Sequence, residues 1–235
     1  MSGIDGILFD YGRTLVTFAY PTDEVLLVIA GFRPRIEGAL GMPAPEARSI
    51  LEDVLLPLEQ YIESPSEDEV DYMNVYREMW QRAGMRLPDD LLYEILDAEQ
   101  RTWDRSVRVD PDALRILALL GERGLRRGIC SNAPFPPAMM RRQVQSNGIA
   151  DMVDAIVFSS EVGRRKPAPE VYQAGLDAIG TAPRRTLFVG DRVREDYEGP
   201  RALGMRAVIV TAHAGEPPPD GVPTIRSLAE VPALL

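Results

Sequence analysis

Cysteine, histidine and lysine each occur once in these 235 residues, as Cys130, His213 and Lys166. A lone cysteine excludes an internal disulfide framework. Long apolar runs are missing too: the longest, about residues 25–32, ends at Arg33 and falls short of the roughly 20 residues a bilayer span needs. No membrane partner is expected. Basic excess is also lacking, with 36 acidic against 26 basic residues and a net charge of −10, which opposes the phosphate neutralisation that nucleic-acid binding requires. A nucleic-acid partner is not expected either. Asp5, Asp10 and Arg13 stand where a secretory leader would hold its apolar run, so a reducing, cytoplasmic setting is expected. What is present is 45% apolar residues, enough to fill the core of one large domain or two modest ones.

The acidic charge is concentrated. Residues 17–100 hold 18 Asp and Glu against 6 Arg, a net of −12, while the remainder is at +2. This division predicts two structural units, one acidic and inserted into the other. Within the acidic stretch, apolar residues recur at helical spacing over 25–40, 45–61, 68–83 and 88–103, separated by Gly41-Met42-Pro43, Ser64-Pro65-Ser66 and Gly84. The expectation is an all-helical insert. On its two sides the pattern differs. Residues 4–9 form a short apolar run that reads as a buried strand. After Asp110-Pro111 the chain alternates helix 111–123, strand 127–130, helix 136–147, strand 154–158, helix 169–179, strand 186–189, helix 195–203 and strand 206–210, and a Pro-rich loop then leads to a short edge element. Such alternation predicts parallel strands with right-handed crossovers, hence an α/β doubly wound parallel Rossmann-like sheet.

In an open parallel sheet ligands bind beyond the carboxyl ends of the strands. The strand ends here are Asp10, Ser131-Asn132, Ser159-Ser160 and Gly190-Asp191. Singly, each is an ordinary turn residue; together they bring two carboxylates and several hydroxyls to one rim. Lys166 adds an independent argument, because the other 25 basic residues are all Arg. Codon bias accounts for the excess of Arg but not for one surviving Lys, whose compact, rotatable ammonium a planar guanidinium cannot replace in a tight site.

Four segments then carry a resemblance. FDYGRTLV at 9–16, ICSNAP at 129–134, SSEVGRRKPAPEVY at 159–172 and FVGDRVREDYEGPRALGM at 188–205 are similar, in order and spacing, to the four motifs of the haloacid dehalogenase-like hydrolase superfamily. The resemblance covers essentially the whole chain and implies a core of residues 1–16 and 104–235 with a helical cap at 17–103. It implies Asp10 as the nucleophile of a phosphatase, forming an aspartyl-phosphate on a small-molecule phosphate ester, with Mg2+ as cofactor. The ligands it implies are Asp10, the backbone carbonyl of Gly12 and Asp191, with Asp196, or less favourably Glu195, supporting from behind. Ser131 and the backbone N–H of Asn132 would hold the phosphoryl oxygens, Lys166 would neutralise charge on nucleophile and phosphoryl group, and Thr14 would fix the loop.

One departure bears on mechanism. The family's first motif is Asp-x-Asp-Gly-Thr, whose second Asp protonates the leaving group and activates water; here that position is Gly12, followed by Arg13. Losing that group lowers a rate by ~10²–10⁴-fold. Two further functions therefore stand beside the phosphatase: a dehalogenase, which shares Asp10 but attacks carbon without a metal, and a catalytically weak phosphometabolite-binding member. A phosphonoacetaldehyde hydrolase, which needs a cap lysine, is excluded because residues 17–100 contain none. Among other residues, His213 reads as a surface histidine or one lying behind the site, and Cys130 as a small buried side chain. Trp80, Trp103, Tyr61, Tyr72 and Tyr76 read as helix packing, while Arg164-Arg165 read either as solvated or as holding a second anion. The expected assembly is a monomer or homodimer.

Overall fold

Gly6-Ile7-Leu8-Phe9 is apolar on both sides of the pleat, as a strand covered on both faces must be. In the computed structural model of the chain, which describes residues 3–64 and 66–235, this segment is β1 (Gly6–Phe9), inside a six-stranded sheet. β2 (Val16–Thr17) leaves the sheet and leads into α1 (Thr22–Leu40), α2 (Ala47–Ile50), a π turn at Leu51–Leu55, α3 (Leu56–Ile62), α4 (Tyr72–Arg82) and α5 (Asp89–Ser106). β3 (Arg108–Val109) then pairs antiparallel with β2, closing the insert with a two-stranded ribbon. The chain continues as α6 (Ala113–Glu122), β4 (Arg126–Ser131), α7 (Pro137–Ser146), β5 (Ala155–Phe158), a single turn α8 (Ser159–Val162) and α9 (Pro169–Ile179). After these come β6 (Thr186–Gly190), a π turn at Val193–Glu198, α10 (Gly199–Ala202), β7 (Arg206–Val210), β8 (Thr224–Ile225) and a 3-10 segment at Leu228–Leu234.

The large sheet has the order β5-β4-β1-β6-β7-β8, and every neighbouring pair is parallel. From β1 the chain fills one side with β4 and β5, then crosses to β6 on the other. The order therefore reverses around β1, which opens a crevice at the carboxyl ends of β1, β4 and β6. Alternate side chains serve opposite layers. Ile7, Phe9, Ile129 and Val189 pack with α6 and α7, while Leu8, Cys130 and Phe188 pack with Val171, Tyr172 and Leu176 of α9. Each such side chain, fully buried, contributes about 1.5–3 kcal/mol. The insert has its own core around Trp80, Tyr76, Ile29 and Leu92. Among the described residues, only Phe135 and Met139 of the sheet unit join it. No helix among them is long and apolar enough to cross a membrane.

The insert and the alternating unit are as expected, with differences at element ends of which four are instructive. The expected helix 45–61 is interrupted by the π turn just before Pro57, which has no N–H to continue the ladder and crowds the preceding turn. Helix α4 starts at Tyr72, not at residue 68, because the backbone of residues 67–69 bonds across to the sheet unit: Arg165 N–H donates to the Glu67 carbonyl (2.8 Å) and Glu69 N–H to that of Gly163 (3.2 Å). Asp71 then caps the helix by accepting from Asn74 N–H at 3.2 Å. Helix α5 runs on to Ser106, past residue 103. The expected helix 195–203 opens as a π turn at Val193, ahead of Pro200.

Candidate active site

Asp10 follows the last residue of β1 and is held at the sheet rim by its backbone N–H donating to the Val189 carbonyl of β6, at 2.9 Å. Lys166, on the segment between α8 and α9, is 2% exposed. Its Nζ donates to Asp10 Oδ1 and to Asp196 Oδ1, each at 2.7 Å, and lies 5.0 Å from the Phe188 ring centre. Asp196 is fixed at its other oxygen, where Oδ2 accepts from the backbone N–H groups of Asp191 (3.0 Å) and Arg192 (2.9 Å). That close seat needs a glycine at the end of β6: a Cβ on Gly190 would lie 2.3 Å from Asp196 Cγ. Asp191 is likewise buried, and one oxygen from each of Asp10, Asp191 and Asp196 falls within 4.8 Å of the others.

The carboxylates repel one another in a dry setting. Burial pushes the Asp191 carboxyl above its usual range, and the charges of Asp10 and Asp196 push the same way. Burial also raises Asp196, against the pull of Lys166. Burial opposes the charge on Lys166, yet the two carboxylates outweigh it and hold the ammonium well above its usual range. One ammonium among three buried carboxylates leaves an excess of negative charge on hard oxygen donors. That donor set fits a divalent cation of the Mg2+ type.

A cavity of about 130 Å³ opens over this cluster, bounded by Asp10, Gly12, Ser131, Asn132 and Lys166 of the sheet unit and by Glu63 of the insert. Asp191 faces an adjoining cavity beside Arg13 and Arg192. Ser131, at the end of β4, is 4% exposed. Thr14 lies deeper, fully buried, and its Oγ1 has no partner among the described residues. Gly12 lines the cavity, where a Cβ would meet the Phe18 ring at 3.2 Å. Arg13 adopts the left-handed φ of 59° that favours glycine, costing about 1–2 kcal/mol at the rim of the site.

Several features escaped the sequence reading. The Asn132 side chain accepts from Lys166 N–H (2.7 Å) and donates to the Lys166 carbonyl (3.1 Å), so it holds the lysine's backbone in place. Arg164 and Arg165 are not free in solvent, and Arg165 also borders the cavity beside Lys166. Arg164 pairs with Asp68 and Glu67, while Arg165 donates to the Ile62 carbonyl at 2.6 Å and lies 3.8 Å from Glu69. Both tie the insert to the sheet unit. His213 Nε2 meets Asp110 Oδ2 at 3.0 Å, away from the carboxylate cluster. Cys130 is fully buried, and burial pushes its thiol up to about 12. Trp80, Tyr76 and Tyr72 are packing residues, whereas Tyr61 is exposed and Trp103 borders a cavity.

Known proteins are similar to this chain in part of the sequence and in fold. Over 116 residues the chain is 33% identical to a phosphoserine phosphatase of Thermus thermophilus, and over 103 residues 35% identical to a phosphoglycolate phosphatase of Rhodospirillum rubrum. The matches cover 49% and 44% of this chain but only 46% and 42% of those relatives. In fold it is similar to a 2-haloacid dehalogenase of Pseudomonas syringae (TM-score 0.71) and to a phosphatase of Thermococcus onnurineus (TM-score 0.67). Each is 20% identical, with 98% of this chain and 97% of the other covered. A rim of strand-end carboxylates with one buried lysine, under an inserted helical cap, accompanies a family match that spans residues 4–204: the chain belongs to the haloacid dehalogenase-like hydrolases.

Proposed function

We propose that the protein is a Mg2+-dependent phosphatase of a small phosphorylated metabolite, acting through an aspartyl-phosphate on Asp10. The observation that carries this reading is the buried cluster of Asp10, Asp191 and Asp196 around Lys166 Nζ. An anionic nucleophile and an anionic phosphoryl group need positive charge between them, and three carboxylates with one ammonium suit a site that recruits a cation. A dehalogenase attacking carbon has no such need. Phosphatases of two small metabolites among the relatives support the same substrate class. Residues 17–103 are taken as the cap and residues 1–16 and 104–235 as the core, the last cap helix carrying on to Ser106.

In this reading Lys166 holds Asp10 by Oδ1, so the other carboxylate oxygen is the one that attacks phosphorus. The P–O bond to the alcohol breaks as the Asp10–phosphorus bond forms. The leaving oxygen takes its proton from water, since Gly12 offers none. Water then attacks the phosphorus of the acyl phosphate, releasing inorganic phosphate and restoring the Asp10 carboxylate. Ser131 Oγ and the Asn132 N–H hold the phosphoryl oxygens, while Lys166 offsets charge on both nucleophile and phosphoryl group. Asp10, Asp191 and the Gly12 carbonyl would hold Mg2+, backed by Asp196, with Thr14 stiffening the loop. Bound there, the ion supplies charge neutralisation and orientation of the phosphoryl group.

Phosphate release from a panel of phosphate esters, with Mg2+ and then with chelator, tests this reading. Turnover should require Mg2+ and vanish in Asp10→Asn. Halide release from 2-chloropropionate with no phosphatase activity would replace it with the dehalogenase. Tight phosphoester binding without turnover would favour a weak binding member, the reading that Gly12 and Arg13 motivate.

A further inference from the structure

A second cavity, of about 190 Å³, continues from the phosphate side of the site and shares Gly12, Ser131 and Asn132 with it. In the phosphatase reading, on which this inference rests, this is where the alcohol part of the substrate sits. Its walls are largely apolar, with Phe18, Trp103, Phe135 and Met140, and the rings of Phe18 and Trp103 meet edge to face at 5.7 Å. Two of the side chains that line it, Gln100 and Glu59, carry acceptors with no donor among the described residues. Gln100, on α5, is 2% exposed. Its Nε2 faces Asp104 Oδ1 at 3.4 Å, and because a carboxylate only accepts, the amide oxygen must point the other way. That Oε1 is buried and has no hydrogen-bond partner among the described residues. An acceptor stranded in this way keeps its desolvation cost until a donor reaches it.

Glu59, on α3, borders the same cavity and makes no ion pair among the described residues. Burial, with the charge of Glu63 adding to it, pushes its carboxyl up to about 7, so a positive group beside it would be met by an ionising carboxylate. Among the described residues the one cation on the cavity wall, Arg165, is already engaged by the Ile62 carbonyl and Glu69. The cavity therefore offers hydrogen-bond acceptors, negative charge and aromatic faces, all of which favour a cation carrying N–H donors. A neutral hydrocarbon would leave Gln100 Oε1 unpaired, and an anionic group would face Glu59 and Glu63. We infer that the preferred substrate is the phosphate ester of a small amino alcohol, its protonated amine donating to Gln100 Oε1 and Glu59 on the wall that Phe18 and Trp103 also line.

The test compares phosphoethanolamine and 3-aminopropyl phosphate with their uncharged counterparts propyl and butyl phosphate, in Mg2+, with p-nitrophenyl phosphate as a general substrate. A hydrogen bond to a charged group is worth about 1.5–3 kcal/mol, so the better amine ester should lead its counterpart at least about tenfold in kcat/KM. Gln100→Met, which keeps length and burial but removes the acceptor, and Glu59→Gln should each shrink that ratio. Calorimetric binding of 3-aminopropylphosphonate against butylphosphonate reads the same preference without turnover. Hydrolysis of p-nitrophenyl phosphate with no preference for the amine, a preference for glycerol phosphate over both series, or a preference that survives both substitutions would overturn the amine assignment. Selective binding of the aminophosphonate with no ester hydrolysed would instead overturn the phosphatase reading and uphold the amine site.

Discussion

Replacing Lys166 with Met tests how far one ammonium holds the carboxylate cluster together. The methionine fills a similar space beside Phe188 and Cys130, so little packing is lost. What is lost is the only side-chain donor shared by Asp10 and Asp196 among the described residues, at 2.7 Å from each, in a site where both carboxylates are buried. Removing one partner of a buried ion pair costs about 3–5 kcal/mol, because the other charge stays in a medium that solvates it poorly. For a chain of this size each kcal/mol shifts Tm by about 2–4 °C, which places the variant about 6–20 °C below the wild type in chelator. The three uncompensated carboxylates should also bind a divalent cation more tightly. A ligand that binds only the folded state raises stability with its concentration over Kd, so Mg2+ should lift Tm more in the variant than in the wild type. Differential scanning calorimetry with and without Mg2+ reads both effects. A variant melting within about 2 °C of wild type in chelator, or equal Mg2+ shifts in the two proteins, would show that the lysine does not balance this cluster. Lys166→Arg keeps the charge yet must seat a larger group in a space 2% exposed, so it should lose turnover and also about 1–3 kcal/mol to overpacking.

Gly12→Asp restores the missing acid at a position where the new Cβ meets only the Phe18 ring at 3.2 Å, and Phe18, 44% exposed, has room to give way. Steady-state hydrolysis of alkyl phosphates should rise by up to ~10²-fold, the lower end of general acid–base contributions, and aryl phosphates should gain less; a flat or lower alkyl rate would show that another group already moves the proton. Glu99, buried in the cap and accepting from Tyr76 Oη at 3.0 Å, has its carboxyl pushed up to about 8 by burial, with the Glu59 charge adding to it; Tyr20 and Tyr72 lie nearby. The folded cap therefore keeps a proton that the unfolded chain gives up near 4.5. Its contribution, about 5 kcal/mol at most, is complete below that value and declines as pH rises towards and through about 8. Thermal melts from pH 5 to 9 should show that decline and should flatten in Glu99→Gln; parallel pH curves for the two proteins would count against it.

The sheet was legible because burial on two faces leaves a signature that needs no partner to interpret. Ile7 and Phe9 serve one layer and Leu8 the other, so β1 had to be apolar at every position. The site was legible for a related reason: the crevice of a doubly wound sheet is fixed by topology, so strand-end residues converge whatever the loops do. Lys166 stood out because no other lysine competes with it. Element ends were less legible: the π turns precede Pro57 and Pro200 inside stretches whose apolar spacing stays helical, and the late start of α4 depends on backbone groups whose partners lie far along the chain.

The roles of Asn132, Arg164 and Arg165 were hidden for the same reason. A side chain that bonds to backbone 34 residues away has no local pattern, and an arginine pair looks identical whether it meets solvent, an anion or a cap loop. The cavity beside Gln100 is the extreme case. Gly12 and Phe18 come from the segment after β1, Glu59 from α3, Gln100 and Trp103 from α5, and Phe135 from the loop before α7. In sequence Gln100 reads only as a polar position on an amphipathic helix. What makes it informative is that Asp104 fixes its amide nitrogen and burial removes water from its oxygen, and both facts exist only once α5 has packed. In the phosphatase reading, chemistry at phosphorus is written at strand ends that topology brings together. In the same reading the choice of alcohol depends on acceptors that the cap strands in an apolar wall, which is why the first could be read along the chain and the second only across it.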